Sequence, residues 1–222
     1  MSIFDHILLF TAALIALRFI QIHWSDLKQS DGGESYNIYH LIALATLAAS
    51  TLLLGIFGWE ILGFMGDGTE NKLVAVVASA IPFAWAAGMV DHVFPKHRKW
   101  YVGLMLLAFT LITITRFAEM KTAGRIIYPI SHSTAGITVV LLPILATLKQ
   151  GLPKSFTLIS LGGLLISVGG ISMAFLIAGR QLLFVSQDVL FLILAPVLFI
   201  TVVLYTIGLA GGVKQAFLSS DH

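Results

Sequence analysis

Seven apolar stretches, each long enough to cross a membrane, constrain this sequence more than any other feature. A helix needs roughly 20 apolar residues to span the hydrocarbon core of a bilayer. The stretches lie near residues 4–23, 38–65, 73–92, 100–117, 128–148, 156–179 and 187–212. Because every backbone amide at membrane depth must be satisfied within the chain, spans of this length predict helices. The predicted fold class is therefore all-α, a polytopic membrane bundle of about seven transmembrane helices.

The low charge content agrees with burial in lipid. Only 11% of the 222 residues are Asp, Glu, Lys or Arg and 58% are hydrophobic, whereas a soluble domain carries about 25% charged residues. Such a chain cannot cover a water-facing surface, so soluble, disordered and nucleic-acid-binding proteins are excluded. The breaks between the stretches are short and rich in turn residues. We therefore predict a single transmembrane helical domain over residues 1–222.

Lysine and arginine counts predict how the bundle inserts. Seven crossings place the two ends of the chain on opposite sides of the membrane. Eight Lys and Arg belong to the side that holds the C-terminus, and five belong to the other side. Positive residues favour the cytoplasmic side, so we expect an outside N-terminus and an inside C-terminus. The expected location is a prokaryotic inner membrane, with the lipid bilayer as the first partner.

Four histidines near the ends of the spans are the candidate cofactor ligands, since ionisable groups inside a membrane are the default functional candidates. His40 and His92 share a depth on the side of the C-terminus, where helices two and three are adjacent and antiparallel. His6 and His132 share a depth on the opposite side. One pair per leaflet would suit a haem b at each face, with electrons crossing between them. The alternative is that these amphipathic rings simply occupy the membrane interface.

A second polar group lies on the side of the N-terminus. Its members are Glu60, Arg116, Asp188 and Arg180. Together with Glu119, they would either lock helix ends as ion pairs or form the entrance for a charged or quinone-like ligand. No spacing such as H-E-x-x-H occurs, so no metal site is predicted. The midplane is nearly uncharged, which argues against a proton wire made of side chains.

The sixth span carries small residues along one face. They recur at intervals of three or four residues, at Ser160, Gly163, Ser167, Gly170 and Ala174. Within lipid the hydrophobic effect does not drive helices together, so their association depends on close packing. Small residues let two helix backbones approach closely. We therefore predict close packing along this face, and a flexible or pore-lining helix is the alternative.

Because several known motifs are absent from the sequence, three classes of function remain. No P-loop, G-x-S-x-G or dinucleotide fingerprint is present, and no lysine lies between Lys154 and Lys214 to hold retinal in the last span. We expect an integral membrane subunit of a redox or energy-converting complex, which anchors other membrane subunits or copies of itself and binds haem b or quinone near the membrane faces. A small-solute transporter or channel is the first alternative, and a structural assembly subunit without a cofactor is the second. A stand-alone enzyme is less expected, because no self-sufficient catalytic motif is present.

Overall fold

The seven apolar stretches form seven α-helices in the computed structural model, which describes residues 1–29, 35–63, 71–177 and 185–219. The helices are α1 (Ile3–Gln29), α2 (Ser35–Phe57), α3 (Lys72–Val93), α4 (Arg98–Phe117), α5 (Lys121–Gln150), α6 (Thr157–Ile177) and α7 (Gln187–Ser219). Each contains a segment long and apolar enough to cross a membrane. The predicted all-α, multi-pass bundle of seven spans is confirmed, whereas its direction of insertion stays a prediction.

Six of the helices form a ring, and α4 lies against its outside. The order around the ring is α1, α2, α3, α5, α6 and α7, and α7 packs back on α1. Helix α4 packs on α3 and α5, which themselves contact each other. Below, the N-terminal face is the end of the bundle where α1, α3, α5 and α7 begin, and the C-terminal face is the opposite end.

The second helix ends earlier than the apolar stretch that encodes it. The stretch continues to residue 65, but α2 stops at Phe57. Gly58 adopts a φ of 70°, a left-handed conformation that glycine tolerates and that interrupts an α-helix. The chain then forms a short 3-10 helix (Trp59–Leu62), and Trp59 stacks on Phe191 of α7. Apolar residues can therefore continue past the point where the backbone leaves the helix.

The fifth and seventh helices, in contrast, are longer than predicted. Helix α5 begins at Lys121, before the predicted start near residue 128, and it continues through Pro129. Helix α7 continues to Ser219, beyond the predicted end near residue 212. Both added segments are less apolar than the spans they extend. Hydropathy thus locates the membrane-crossing part of a helix and does not define the helix end.

Helices α5 and α6 approach each other at the small residues of the sixth span. A Cβ on Gly163 would lie 2.7 Å from a methyl carbon of Val139, and the hydroxyl of Ser167 lies 3.1 Å from where a Cβ of Gly136 would be. Gly170, toward the end of α6, has no described side chain within 4 Å of its Cβ position. Close packing, the predicted role of this face, therefore holds for the first half of α6.

Candidate functional site

His40 lies in a tight contact between α2, α3 and α7. Its side chain is 1% exposed, and its ring centroid lies 4.8 Å from that of Trp85. Trp85 is fully buried and lies 4.1 Å from the ring of Tyr205, which is also buried. A Cβ on Gly88 would be only 2.6 Å from Nε2 of His40, so the imidazole rests directly on the α3 backbone. We call His40, Trp85 and Tyr205 the aromatic core.

His92 lies at the same end of the bundle as His40. His40 rests on Gly88, and His92 follows four residues later on α3, which is about one helical turn. The two rings nevertheless contact different aromatic side chains. The ring of His92 lies 5.5 Å from Phe156, whereas that of His40 faces Trp85. The two histidines thus lie on different helices, α2 and α3, at one end of the bundle.

His6 and His132 also have separate surroundings. The Nδ1 atom of His6 lies 2.7 Å from the carbonyl oxygen of Gly55, and because a carbonyl only accepts hydrogen bonds, this nitrogen donates. The ring of His132 stacks on Tyr128 at 4.1 Å and lies 5.5 Å from Phe83. Helix α1 packs on α2 and α7, whereas α5 packs on α3, α4 and α6. Each of these two histidines is therefore held by its own neighbours.

The polar residues predicted for the N-terminal face lie on three different elements. The guanidinium of Arg116, in the last turn of α4, lies 5.1 Å from the ring centroid of Tyr128, a cation–π distance. Glu60 is exposed on the short 3-10 helix, and Asp188 is in the first turn of α7. Arg180 lies outside the described residues.

Two ion pairs among the described residues connect α3 to the region of α4, one at each face. At the N-terminal face, Nζ of Lys72 lies 2.6 Å from Glu119, which follows α4. At the C-terminal face, the buried carboxylate of Asp91 lies 3.6 Å from Arg98. Neither pair is predicted from the sequence, although short breaks on either side of α4 keep these helix ends close together.

The contacts around three of the four histidines do not suit a haem held by two of them. A ligating nitrogen must point into a space that a planar macrocycle can enter. Nε2 of His40 instead faces the α3 backbone at Gly88, and His132 lies between two aromatic rings. Nδ1 of His6 is engaged by a carbonyl oxygen. Within the part of the chain that the structure describes, no three His, Asp or Glu residues form a group that could hold a metal ion.

A surface crevice of about 460 Å³ separates α1 from α7 toward the C-terminal face. Ligand-binding pockets typically measure about 300–1,000 Å³. The apolar side chains that line it are Leu14, Ile15, Phe19 and Ile22 of α1 with Ile207 and Ala210 of α7. Arg18 and Thr206 are the polar residues of the lining. We call this feature the α1–α7 crevice.

The seven apolar helices found in the described part of the chain define an integral multi-pass membrane protein. Comparisons with protein-family models, with curated proteins and with solved structures found no match. The function proposed below therefore rests on the chain itself.

Proposed function

We propose that the protein is an integral membrane subunit of a redox or energy-converting complex, in which it anchors partner subunits. The observation that supports this role is the aromatic core. Trp85 fills the space between α2, α3 and α7 with no exposed surface, and His40 and Tyr205 pack on two sides of it. Dense packing of this kind gives a rigid interior that transmits strain rather than absorbing it. Rigidity is what an anchoring subunit requires.

The polar side chains support the same role, because they connect one element to another. His6 donates to a backbone carbonyl of α2. The two ion pairs tie α3 to the region of α4 at both faces, and Arg116 packs on a tyrosine of α5. Polar groups are expensive at membrane depth, and contacts between helices are one of the arrangements in which they are retained. These contacts join neighbouring helices in addition to the apolar packing.

Within this proposal, quinone suits the described residues better than haem. A haem held by this chain needs two histidine nitrogens facing one plane, and the contacts of His40 and His132 are with packed neighbours. A quinone reaches its site through the lipid and needs hydrogen-bond donors rather than iron ligands. The protein would then supply part of a quinone site where it meets its partner subunits.

Co-purification tests the proposal. An affinity-tagged full chain would be extracted from its native membrane in a mild detergent, and the bound chains and extracted quinones would be identified by mass spectrometry. We expect redox subunits in a stoichiometric amount, together with co-extracted quinone. Any haem absorption should belong to the partner subunits and be absent from the isolated chain. A tagged, unrelated seven-span protein serves as the control for carry-over. Recovery of the chain without any partner would refute the anchoring role, and a Soret band from the isolated chain would refute the preference for quinone.

A flux measurement separates this proposal from the transporter alternative. The purified chain would be placed in proteoliposomes and assayed for uptake of ions, sugars and amino acids. Because the aromatic core fills the space between α2, α3 and α7, we expect uptake equal to that of empty liposomes. Uptake that falls in Glu60→Gln or Asp188→Asn, but not in Lys99→Gln on the other face, would favour a transporter.

A further inference from the structure

We propose that the α1–α7 crevice binds an anionic phospholipid, with the phosphate on Arg18 and one acyl chain along the apolar walls. This site is independent of the anchoring role proposed above. Among the described residues, its lining combines one cationic group with side chains that are almost entirely hydrocarbon. A ligand that matches it carries one negative charge and a long apolar chain.

The charge argument begins with Arg18, whose side chain is exposed on α1. Its Nη1 atom donates to the amide oxygen of Gln21 at 2.8 Å, and this neutral partner supplies no negative charge. The two ion pairs among the described residues involve other cations, Lys72 and Arg98. Guanidinium binds phosphate oxygens through two parallel hydrogen bonds, which are among the strongest available to a side chain. A phosphodiester would therefore complement this group in both charge and geometry.

The walls of the crevice offer little except apolar contact. Thr206 is the second polar residue of the lining, but its hydroxyl donates to the carbonyl oxygens of Val202 and Val203 on its own helix. The remaining lining residues are aliphatic or aromatic. A second polar group on a ligand would find no described hydrogen-bond donor there except the guanidinium. A neutral polar solute is therefore a poor match, and an acyl chain is a good one.

The position of Arg18 along the helix agrees with a lipid headgroup. The apolar crossing segment of α1 ends at Ile22, four residues after Arg18, which is about 6 Å along a helix. An arginine at this depth extends its side chain toward the polar layer of the membrane while its methylene groups stay in hydrocarbon. The phosphate of a phospholipid lies in that layer, and its acyl chains descend from it. One phospholipid can thus contact Arg18 and the crevice at the same time.

Native mass spectrometry of the delipidated full chain tests the site. The probes are phosphatidylglycerol and phosphatidylcholine with the same acyl chains, each titrated in detergent. We expect one phosphatidylglycerol to bind about tenfold more tightly than phosphatidylcholine, since a charge-assisted hydrogen-bond pair distinguishes them. Arg18→Gln should abolish this preference, and Arg18→Lys should retain part of it. Ala210→Phe, which places a ring in the crevice, should weaken binding of both lipids.

Two matched variants control for general effects. Lys99→Gln removes an exposed cation from the same face outside the crevice, and Ala49→Phe adds the same ring to a lipid-facing position of α2. Both should bind phosphatidylglycerol as the unaltered chain does. Equal binding of the two lipids, or equal losses in Ala210→Phe and Ala49→Phe, would overturn the proposal. If Arg18→Gln does not fold, the comparison of the two phenylalanine variants decides.

A competition experiment distinguishes the lipid from a quinone. Ubiquinone with a ten-carbon side chain would be added to the phosphatidylglycerol complex over the same concentration range. We expect the bound phospholipid to persist, because the quinone carries no negative charge for Arg18. Displacement that is equally effective in the unaltered chain and in Arg18→Gln would overturn the phospholipid assignment in favour of a quinone site.

Discussion

Helix α7 joins the ring through two contacts of opposite character. At Trp85 and Tyr205, aromatic rings fill the space between helices, and a Cβ on Gly162 of α6 would lie 2.9 Å from Tyr205. At the α1–α7 crevice, the side chains of the two helices leave about 460 Å³ between them. The first contact needs nothing beyond the chain, whereas the second exposes a cation and apolar walls to lipid. Among the described residues, the chain thus fills the first contact with its own side chains, whereas the second is open for the membrane to complete.

The largest expected effect on stability is in the aromatic core. Replacing Trp85 by Ala removes a fully buried indole and should lower the free energy of unfolding by about 3–5 kcal/mol. The measurement is unfolding by SDS titration in mixed micelles, followed by circular dichroism. Trp100, which is 83% exposed, provides the control, and Trp100→Ala should change stability by less than about 0.5 kcal/mol. Similar losses in both variants would show that the aromatic core is not the main support of the ring.

The second prediction concerns Gly88, on which the imidazole of His40 rests. Gly88→Ala places a methyl group 2.6 Å from Nε2 of His40, and overpacking of this kind costs about 1–3 kcal/mol. Gly103→Ala is the matched control, because no described atom lies within 4 Å of its Cβ position. The loss should shrink when His40 is also replaced by Ala, and a double-mutant cycle measures that coupling. An unchanged loss in the His40→Ala background would place the strain elsewhere.

The contact between α1 and α2 should contribute an intermediate amount to the stability of the bundle. His6→Leu removes the hydrogen bond to the carbonyl oxygen of Gly55 and should destabilise the bundle by about 1 kcal/mol. The same substitution at His97, which is exposed, serves as the reference and should have little effect. Equal stability of the two variants under SDS titration would mean that this hydrogen bond does not hold the helices together.

The smallest effect is expected at the N-terminal face, where the side chains of Lys72 and Glu119 remain 37% and 69% exposed. Exposed ion pairs contribute at most about 1 kcal/mol, and salt weakens them. Lys72→Met should therefore reduce stability slightly at low ionic strength and not measurably in 1 M salt. Lys96→Met on the opposite face is the control. A loss that persists in high salt would argue that Lys72 has a packing role.

The sequence predicted the seven spans because length and apolar content alone decide whether a helix can cross a bilayer. It also indicated at which end of its helix each of the four candidate histidines lies, since position along a span fixes that end. It could not predict which way a side chain points or which helix lies next to it. His6 and His132 have the depth expected of a pair, but their neighbours belong to different parts of the ring.

Contacts made by ordinary residues were the hardest to foresee. Trp85 and Tyr205 carry no charge and match no motif, so the sequence around each of them resembles that of any apolar span. The crevice was equally hidden, because Arg18 appears in the sequence as one of several cations on the side of the C-terminus. Only the packing of the first helix on the last reveals that this arginine borders a cavity.

The arrangement of the ring also sets an order of events during synthesis. Membrane proteins emerge from the ribosome N-terminal end first, so α1 waits in the bilayer until α7, the last helix, arrives to close the ring. Until α7 is made, lipid can contact the face of α1 that carries Arg18. On this side of the ring, α7 therefore competes with lipid for contact with α1. The lipid composition of the membrane during synthesis can influence how closely α7 packs on α1.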